Sequence, residues 1–204
     1  MPVKVSELFK SVGLEIEGVV KWGTLPDEQR SGVYVVAISG EADNVVGIDT
    51  IPILHTSISD WITRVPMMRI DHCVPTVVSI TKRLSQFWLP NETILYIGHT
   101  NRPLRSRIAE MYKHVLGDRW HHSGGQWLKT LNNIEDLHIY YSVDESHPEL
   151  LGDFLLRQFH KAASADIETD QYHVVMPFAN RQAPAIDPDK KYYRKEHNIS
   201  SQVI

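Results

Sequence analysis

Residues 93–116, TILYIGHTNRPLRSRIAEMYKHVL, contain the pattern that decides the fold. A short apolar run, 94–97, stops at Gly98, and a polar turn then leads into a basic segment that begins near Pro103. The apolar run favours a β-strand, and the basic segment favours an α-helix that continues to about Leu116. A strand that leads through a glycine into an arginine-bearing helix is suited to phosphate binding, because backbone N–H groups and positive side chains then meet at one place.

The composition is that of a folded protein with its own hydrophobic core. The 204 residues are 42% hydrophobic and 23% charged, which excludes a disordered chain. The single cysteine, Cys73, excludes an internal disulfide framework. No apolar run approaches the ~18 residues of a membrane span, and the first residues lack the apolar core of a secretory signal. We therefore expect a cytoplasmic protein that does not enter a membrane.

Positive charge is concentrated in one segment of the sequence. The net charge of −4 counts against a protein that coats nucleic acid nonspecifically. Residues 101–130 nevertheless hold six basic side chains and only two acidic ones, Glu110 and Asp118. This surplus predicts an anionic ligand held at one place, although a solvated helix face would produce the same pattern. The basic residues are Arg102, Arg105, Arg107, Lys113, Arg119 and Lys129.

The order of the longer segments predicts an α/β (α+β) fold. Two further strands are indicated at 32–38 and 137–143, and Pro148 opens a helix with an apolar stripe. Residues 40–92, between the first two strands, predict an inserted and mostly helical lobe, while residues 181–204 predict a polar C-terminal tail. The result is a single domain over the whole chain, in which a small three-stranded sheet is flanked by helices.

Shorter segments carry weaker patterns. Residues 14–30 contain two glycines and a proline and predict a loop. Gln126–Leu131 predicts a short helix, and Tyr172–Met176 predicts a final short strand.

Taken together, these motifs resemble the GIY-YIG endonuclease superfamily. The first signature stands as GVY at residues 32–34, and the second stands as YIG at residues 96–98. The arginine that the family places in the following helix is matched by Arg107, and its late asparagine is matched by Asn180. The third strand and the helix after it also follow in the family's order.

The sequence departs from the family pattern in two ways. Tyr34 and Tyr96 are separated by 61 residues instead of a short hairpin loop, which is tolerable because closure entropy grows slowly with loop length. The family's metal-binding glutamate precedes an aliphatic pair by about one turn, and here that register falls on Gly152. Glu149 is the expected metal ligand in its place, with Asp153 as the alternative and loss of the ligand as the third possibility.

The resemblance implies a metal-dependent DNA endonuclease and a role for each matched residue. Arg107 would hold the scissile phosphate with two guanidinium N–H groups. Of Tyr34 and Tyr96, one would accept the proton of the attacking water and the other would position water or phosphate, and the sequence leaves their order open. His114 lies seven residues after Arg107 on the same helix face and would contact phosphate or assist proton transfer. Asn180 would tie the site together or orient the acid.

The same resemblance implies a cofactor and partners. One Mg²⁺ or Mn²⁺ ion per site would neutralise charge that develops on the phosphate. The expected partner is DNA, in a restriction- or repair-type reaction, and cutting both strands with one site per chain would require a homodimer. The alternative, which Gly152 favours, is a catalytically degenerate module that binds nucleic acid or protein. The residues predicted to bind DNA outside the catalytic group are Arg102, Arg105, Lys113 and Arg119.

Overall fold

The computed structural model describes residues 2–118, 123–165 and 173–200, and it has a mixed α+β fold. Within these residues the chain forms six α-helices and eight strands. The helices are α1 (Val5–Ser11), α2 (His55–Arg64), α3 (Val77–Ser85), α4 (Leu104–Lys113), α5 (Ser123–Leu128) and α6 (Pro148–Ala163). The strands are β1 (Gly18–Lys21), β2 (Gly32–Ala37), β3 (Arg69–Ile70), β4 (Ile94–Thr100), β5 (His138–Val143), β6 (Gln182–Pro184), β7 (Tyr192–Arg194) and β8 (Ile199–Ser200).

The main sheet has four antiparallel strands in the order β1-β5-β2-β4. The α+β class is confirmed, and the three predicted strands are present as β2, β4 and β5. The prediction of three strands was incomplete, because β1 lies in the segment 14–30 that the sequence predicts as a loop. This strand is four residues long and alternates between half-buried and exposed positions, so it lacks the continuous apolar run of the buried strands.

Strand β2 is the centre of the sheet, and all six of its residues are buried. Its alternation places Tyr34 and Val36 on one face of the sheet and Val33 and Val35 on the other. Residues of α2, α3, α4 and α5 cover the first face, while α1 and α6 cover the second. Because the sheet is buried on both faces, only its edges are open to a ligand.

The segment between β2 and β4 contains α2, α3 and the short strand β3. Helix α3 begins at a capping box, in which Thr76 Oγ1 accepts from the Ser79 N–H at 3.1 Å and Ser79 Oγ accepts from the Thr76 N–H at 2.8 Å. The buried side chains Trp61 and Ile80 of this segment belong to the same core as Tyr34. The inserted helices therefore support the face of the sheet that carries the tyrosine.

Residues 181–200 contain β6, β7 and β8 where the sequence predicts a polar tail. Strands β6 and β7 pair with each other, and β8 pairs with β3 of the inserted segment. These strands have only two or three residues each, which is too short to produce a periodic sequence pattern.

The predicted strand Tyr172–Met176 is not formed in residues 173–176, although 174–176 are buried, and Tyr172 lies outside the described residues. No helix in the described part of the chain is both long enough and apolar enough to cross a membrane.

Candidate active site

A cavity of about 590 Å³ lies along the edge of β4 that is not paired in the main sheet. Helix α4 reaches it from one face of the sheet, and α6 reaches it from the other. The C-terminal residues 180–197 complete its lining. The cavity brings together predicted site residues from four parts of the chain, namely Tyr96, Arg107, Glu149, Asp153 and Asn180.

Asn180 takes the place of a neighbouring strand beside β4. Its Oδ1 accepts from the Ile97 N–H at 2.9 Å, and its Nδ2 donates to the Ile97 carbonyl at 2.8 Å. Asn180 is buried, and its neighbour Ala179 donates its N–H to the Leu95 carbonyl at 2.8 Å. These contacts tie the C-terminal segment to β4, and the predicted role of Asn180 in the site stays a prediction.

Tyr34 and Tyr96 pack together beside Gly98. Tyr34 lies directly opposite Gly98 in the β2–β4 register, and the centres of the two tyrosine rings are 5.9 Å apart. A Cβ atom on Gly98 would lie 2.5 Å from Tyr34 Cζ and 2.7 Å from Tyr96 Cε1. The glycine of the YIG signature is therefore required by close packing, since any side chain would displace both rings.

The two phenols and Arg107 form one hydrogen-bonded group. Tyr34 is fully buried behind the cavity and hydrogen-bonds to both Tyr96 and Arg107. Because a guanidinium group can only donate, the Tyr34 oxygen accepts from Arg107 and its proton is left for the Tyr96 oxygen. Burial raises the pKa of both phenols above the ordinary value, and the positive charge of Arg107 opposes that shift.

Arg107 is held in place by Glu110 on the same helix. Its Nη1 lies 3.3 Å from Glu110 Oε2, and its side chain remains 27% exposed. The same carboxylate accepts two hydrogen bonds from Arg102, at 2.7 and 2.8 Å, and these contacts lower the pKa of Glu110. Arg102, predicted to bind DNA, is thus engaged with Glu110 in this structure.

The other residues predicted on or after α4 lie outside the cavity. Arg105 donates to the Pro26 carbonyl at 3.1 Å, and Lys113 is exposed at the end of the helix. His114 follows the last turn of α4, where its N–H bonds to the helix, and its side chain does not line the cavity. His114 is the C-cap of α4 and lies about 10 Å of helix rise beyond Arg107, so a shared helix face does not bring it to the cavity. Arg119 lies outside the described residues.

The carboxylates Glu149 and Asp153 stand one turn apart on α6 and both line the cavity. Burial raises the pKa of Asp153, an effect that His99 opposes and Glu149 reinforces. Gly152, at the register of the family's glutamate, lies against His99, and an added Cβ would be 2.7 Å from His99 Nδ1. Helix α6 approaches β4 this closely because Gly152 has no side chain.

The donor set at α6 suits a hard divalent cation with few protein ligands. Among the described residues, no three His, Cys, Asp or Glu side chains are grouped closely enough to enclose a metal ion. Two neighbouring carboxylates can hold Mg²⁺, which keeps most of its waters. The residues present therefore fit a magnesium site of one or two carboxylates.

Comparison of the chain with protein-family models, with curated proteins and with solved structures finds no match. The case for a function thus rests on the chemistry of the cavity itself.

Two parts of the cavity were missed at the sequence level. His99 follows the YIG signature by one residue, and extending the predicted strand to Thr100 would have placed its side chain on the α6 face. The wall formed by 181–197 includes the basic or imidazole side chains of Arg181, Arg194, Lys195 and His197. The available signal in the sequence was the surplus of basic over acidic side chains in this segment, five against three.

Proposed function

We propose that this protein is a metal-dependent endonuclease that hydrolyses phosphodiester bonds in DNA. The observation that supports this most strongly is the grouping of Tyr34, Tyr96 and Arg107 at a cavity that α6 also lines with carboxylates. Phosphodiester hydrolysis needs a proton acceptor for the attacking water, a cation on the phosphate and a means to stabilise developing charge. The cavity has candidates for each of these tasks.

Arg107 binds the scissile phosphate. Its guanidinium makes a long contact of 3.3 Å with Glu110, so N–H groups remain for phosphate oxygens. Glu110 is held more closely by Arg102, and it orients Arg107 without occupying all of its donors. The cation thereby stays aimed at the cavity when no phosphate is bound.

Tyr96 is the phenol that faces the attacking water. It lines the cavity and is 8% exposed, whereas Tyr34 is fully enclosed. The proton of the water enters the phenol pair at Tyr96, and Tyr34 stabilises the phenolate by donating its hydrogen bond. The pair must ionise before it can accept a proton, and Arg107 favours that ionisation against the burial that opposes it.

Glu149 and Asp153 would hold the metal ion. When bound, a divalent cation neutralises charge on the phosphate and on the leaving oxygen. Burial raises the pKa of Asp153 and the neighbouring Glu149 adds to that shift, so a cation bound here would favour the charged carboxylate. The side chain of His99, which belongs to β4, lies against α6 at Gly152, beside the two carboxylates.

Metal-dependent cleavage by the purified protein tests the proposal. Duplex, branched and single-stranded DNA and RNA are incubated with Mg²⁺, Mn²⁺ or EDTA, and DNA cleavage is expected only with metal. Arg107→Ala should fold and lose about 10²–10³-fold in cleavage rate, because a preorganised cation on the phosphate is removed. Arg64→Ala is the matched control, since Arg64 is an exposed arginine on α2 away from the cavity. Unimpaired cleavage by Arg107→Ala refutes the site assignment.

The close contact of Gly152 with His99 favours a second candidate, a nucleic-acid-binding module without activity. This candidate predicts DNA binding that weakens with salt and yields no product with any metal. The double variant Gly152→Glu with His99→Ala offers a further distinction, because it makes room for a carboxylate at the family's position. An inactive natural chain together with a cutting double variant would establish the second candidate.

A further inference from the structure

Two arginines of the cavity wall formed by 181–197 have no acidic partner among the described residues. Arg181 and Arg194 make no ion pair with any acidic residue in the described part of the chain. Arg194 is exposed, and its charge together with burial lowers the pKa of Arg181. Two neighbouring guanidinium groups that repel each other are costly unless an anion lies between or beside them.

Lys195 fastens this wall to the body of the protein. Its ammonium donates to the carbonyls of Pro177 and Phe178 at 2.7 and 2.8 Å. It also lies 5.6 Å from the ring centre of Phe87 and 5.4 Å from that of Trp127. These contacts occupy the amino group of Lys195 inside the protein, where burial lowers its pKa well below the ordinary value, so Lys195 anchors the wall and is not its free cation.

The donors around His197 outnumber the acceptors. His197 Nδ1 lies 3.1 Å from the Ile199 backbone nitrogen, which can only donate, so Nδ1 is the acceptor. A neutral imidazole has one acceptor nitrogen, and Nε2 therefore carries the proton. Yet Nε2 is 3.0 Å from Arg181 Nη2, which is also a donor. Both side chains line the cavity, and an oxygen atom there that accepts from both would relieve the repulsion between the two donors.

We propose that Arg181 and His197 form a second phosphate-binding site, which holds a backbone phosphate of the DNA strand whose scissile phosphate lies at Arg107. The inference rests on the proposed function for the identity of the strand. A DNA strand carries one phosphate per nucleotide, so a strand that enters the cavity at Arg107 brings neighbouring phosphates along the same space. Phosphate contacts of this kind set the register of a strand without reading its sequence.

Inorganic phosphate, added without metal, is the first probe of this site. Side-chain ¹H–¹⁵N NMR of His197 should show a proton on Nε2 in the free protein and a saturable shift on addition of phosphate. Arg181→Gln should weaken phosphate binding by about tenfold, the effect of losing one charged hydrogen bond. Arg64→Gln removes the same charge from an exposed site on α2 and should leave the titration unchanged.

Binding of a short DNA duplex in EDTA over a range of salt concentrations is the second probe. Arg181→Gln should make the slope of log affinity against log salt concentration less steep by about one unit, the contribution of one phosphate contact, while Arg64→Gln should leave the slope unchanged. His197→Ala, which keeps the arginine, should weaken phosphate binding as well and serves if Arg181→Gln does not fold. Phosphate affinity and salt slope that are unchanged in folded variants of both residues overturn the proposal.

These measurements separate the second site from the nuclease. Arg181-dependent phosphate and DNA binding without cleavage under any metal would support the site and refute the nuclease. Cleavage that depends on Arg107, together with phosphate and DNA binding that is unchanged in Arg181→Gln and His197→Ala, would support the nuclease and refute the second site.

Discussion

Replacing Gly98 with alanine would put a methyl group where the two tyrosine rings meet. The new Cβ would lie 2.5 Å from Tyr34 Cζ and 2.7 Å from Tyr34 Oη and Tyr96 Cε1. Carbon atoms in ordinary contact are about 3.5–4.0 Å apart, so each ring would have to move by about 1 Å. Tyr34 is fully enclosed and has no free volume to enter. We expect the variant to lose about 3 kcal/mol, the upper part of the range for an overpacked core.

The matched control is Gly18→Ala in the same sheet. Its Cβ would come as close as 2.3 Å to a tyrosine, but the atom is the hydroxyl oxygen of Tyr141. Strand β1 lies at the edge of the sheet and Tyr141 is only partly buried, so the ring can turn outward. We expect a cost under about 1 kcal/mol, within the range of substitutions that leave the core unchanged.

Urea unfolding followed by tryptophan fluorescence measures both variants, and calorimetry supplies the melting temperatures. A chain of this length loses about 2–4 °C per kcal/mol, so Gly98→Ala should melt about 6–12 °C below the natural chain. Cleavage should fall as well, because the phenols are displaced from Arg107. Equal losses in the two variants, or a neutral Gly98→Ala, would show that the rings do not pack against Gly98 as described.

Two further predictions concern the C-terminal segment. Asn180→Ala should destabilise the protein by about 2–4 kcal/mol in urea unfolding, because the buried N–H and carbonyl of Ile97 lose their partners. The control is Asn101→Ala, which removes an exposed amide and should be nearly neutral. Equal losses of stability in the two variants would contradict this account. Burial, assisted by nearby cations, lowers the pKa of His197 from 6.5 to about 4. Below pH 6.5 the unfolded chain therefore binds more protons than the folded protein does, and the stability of the fold decreases as the pH drops toward 4. After allowance for its partial exposure, the loss is about 1–2 kcal/mol. Unfolding free energies at a series of pH values should show this loss reduced in His197→Gln, and identical profiles would refute it.

The parts of the fold that follow from sequence are those with long periodic patterns. Strands β2, β4 and β5 each carry an apolar run, and α6 carries an apolar stripe after Pro148. Strand β1 has only four residues, two half-buried and two exposed, and therefore carries no such pattern. The same holds for β6, β7 and β8, whose pairing depends on contacts with each other and with β3.

The site, like the fold, was predictable from the sequence only in part. Tyr34, Tyr96 and Arg107 come together because two paired strands and the helix that follows them have little freedom in how they pack. His114 does not join them, because it lies about two helical turns beyond Arg107 at the end of α4. The sequence does not distinguish Glu149 from Asp153 as the metal ligand. The structure places both carboxylates at the cavity, a position that depends on how α6 packs against the sheet.

By itself, the sequence determined that a strand and then a basic helix form within residues 93–116, because local periodicity specifies both. Their ends were predicted wrongly, since β4 continues through Gly98 to Thr100 and α4 ends at Lys113 instead of near Leu116. Only the tertiary structure decided that Gly98 makes room for two tyrosine rings, that His99 fills the space beside Gly152, and that 181–197 closes the cavity. These are contacts between residues far apart in the chain. They depend on how closely whole elements pack, and no local pattern in the sequence encodes that distance.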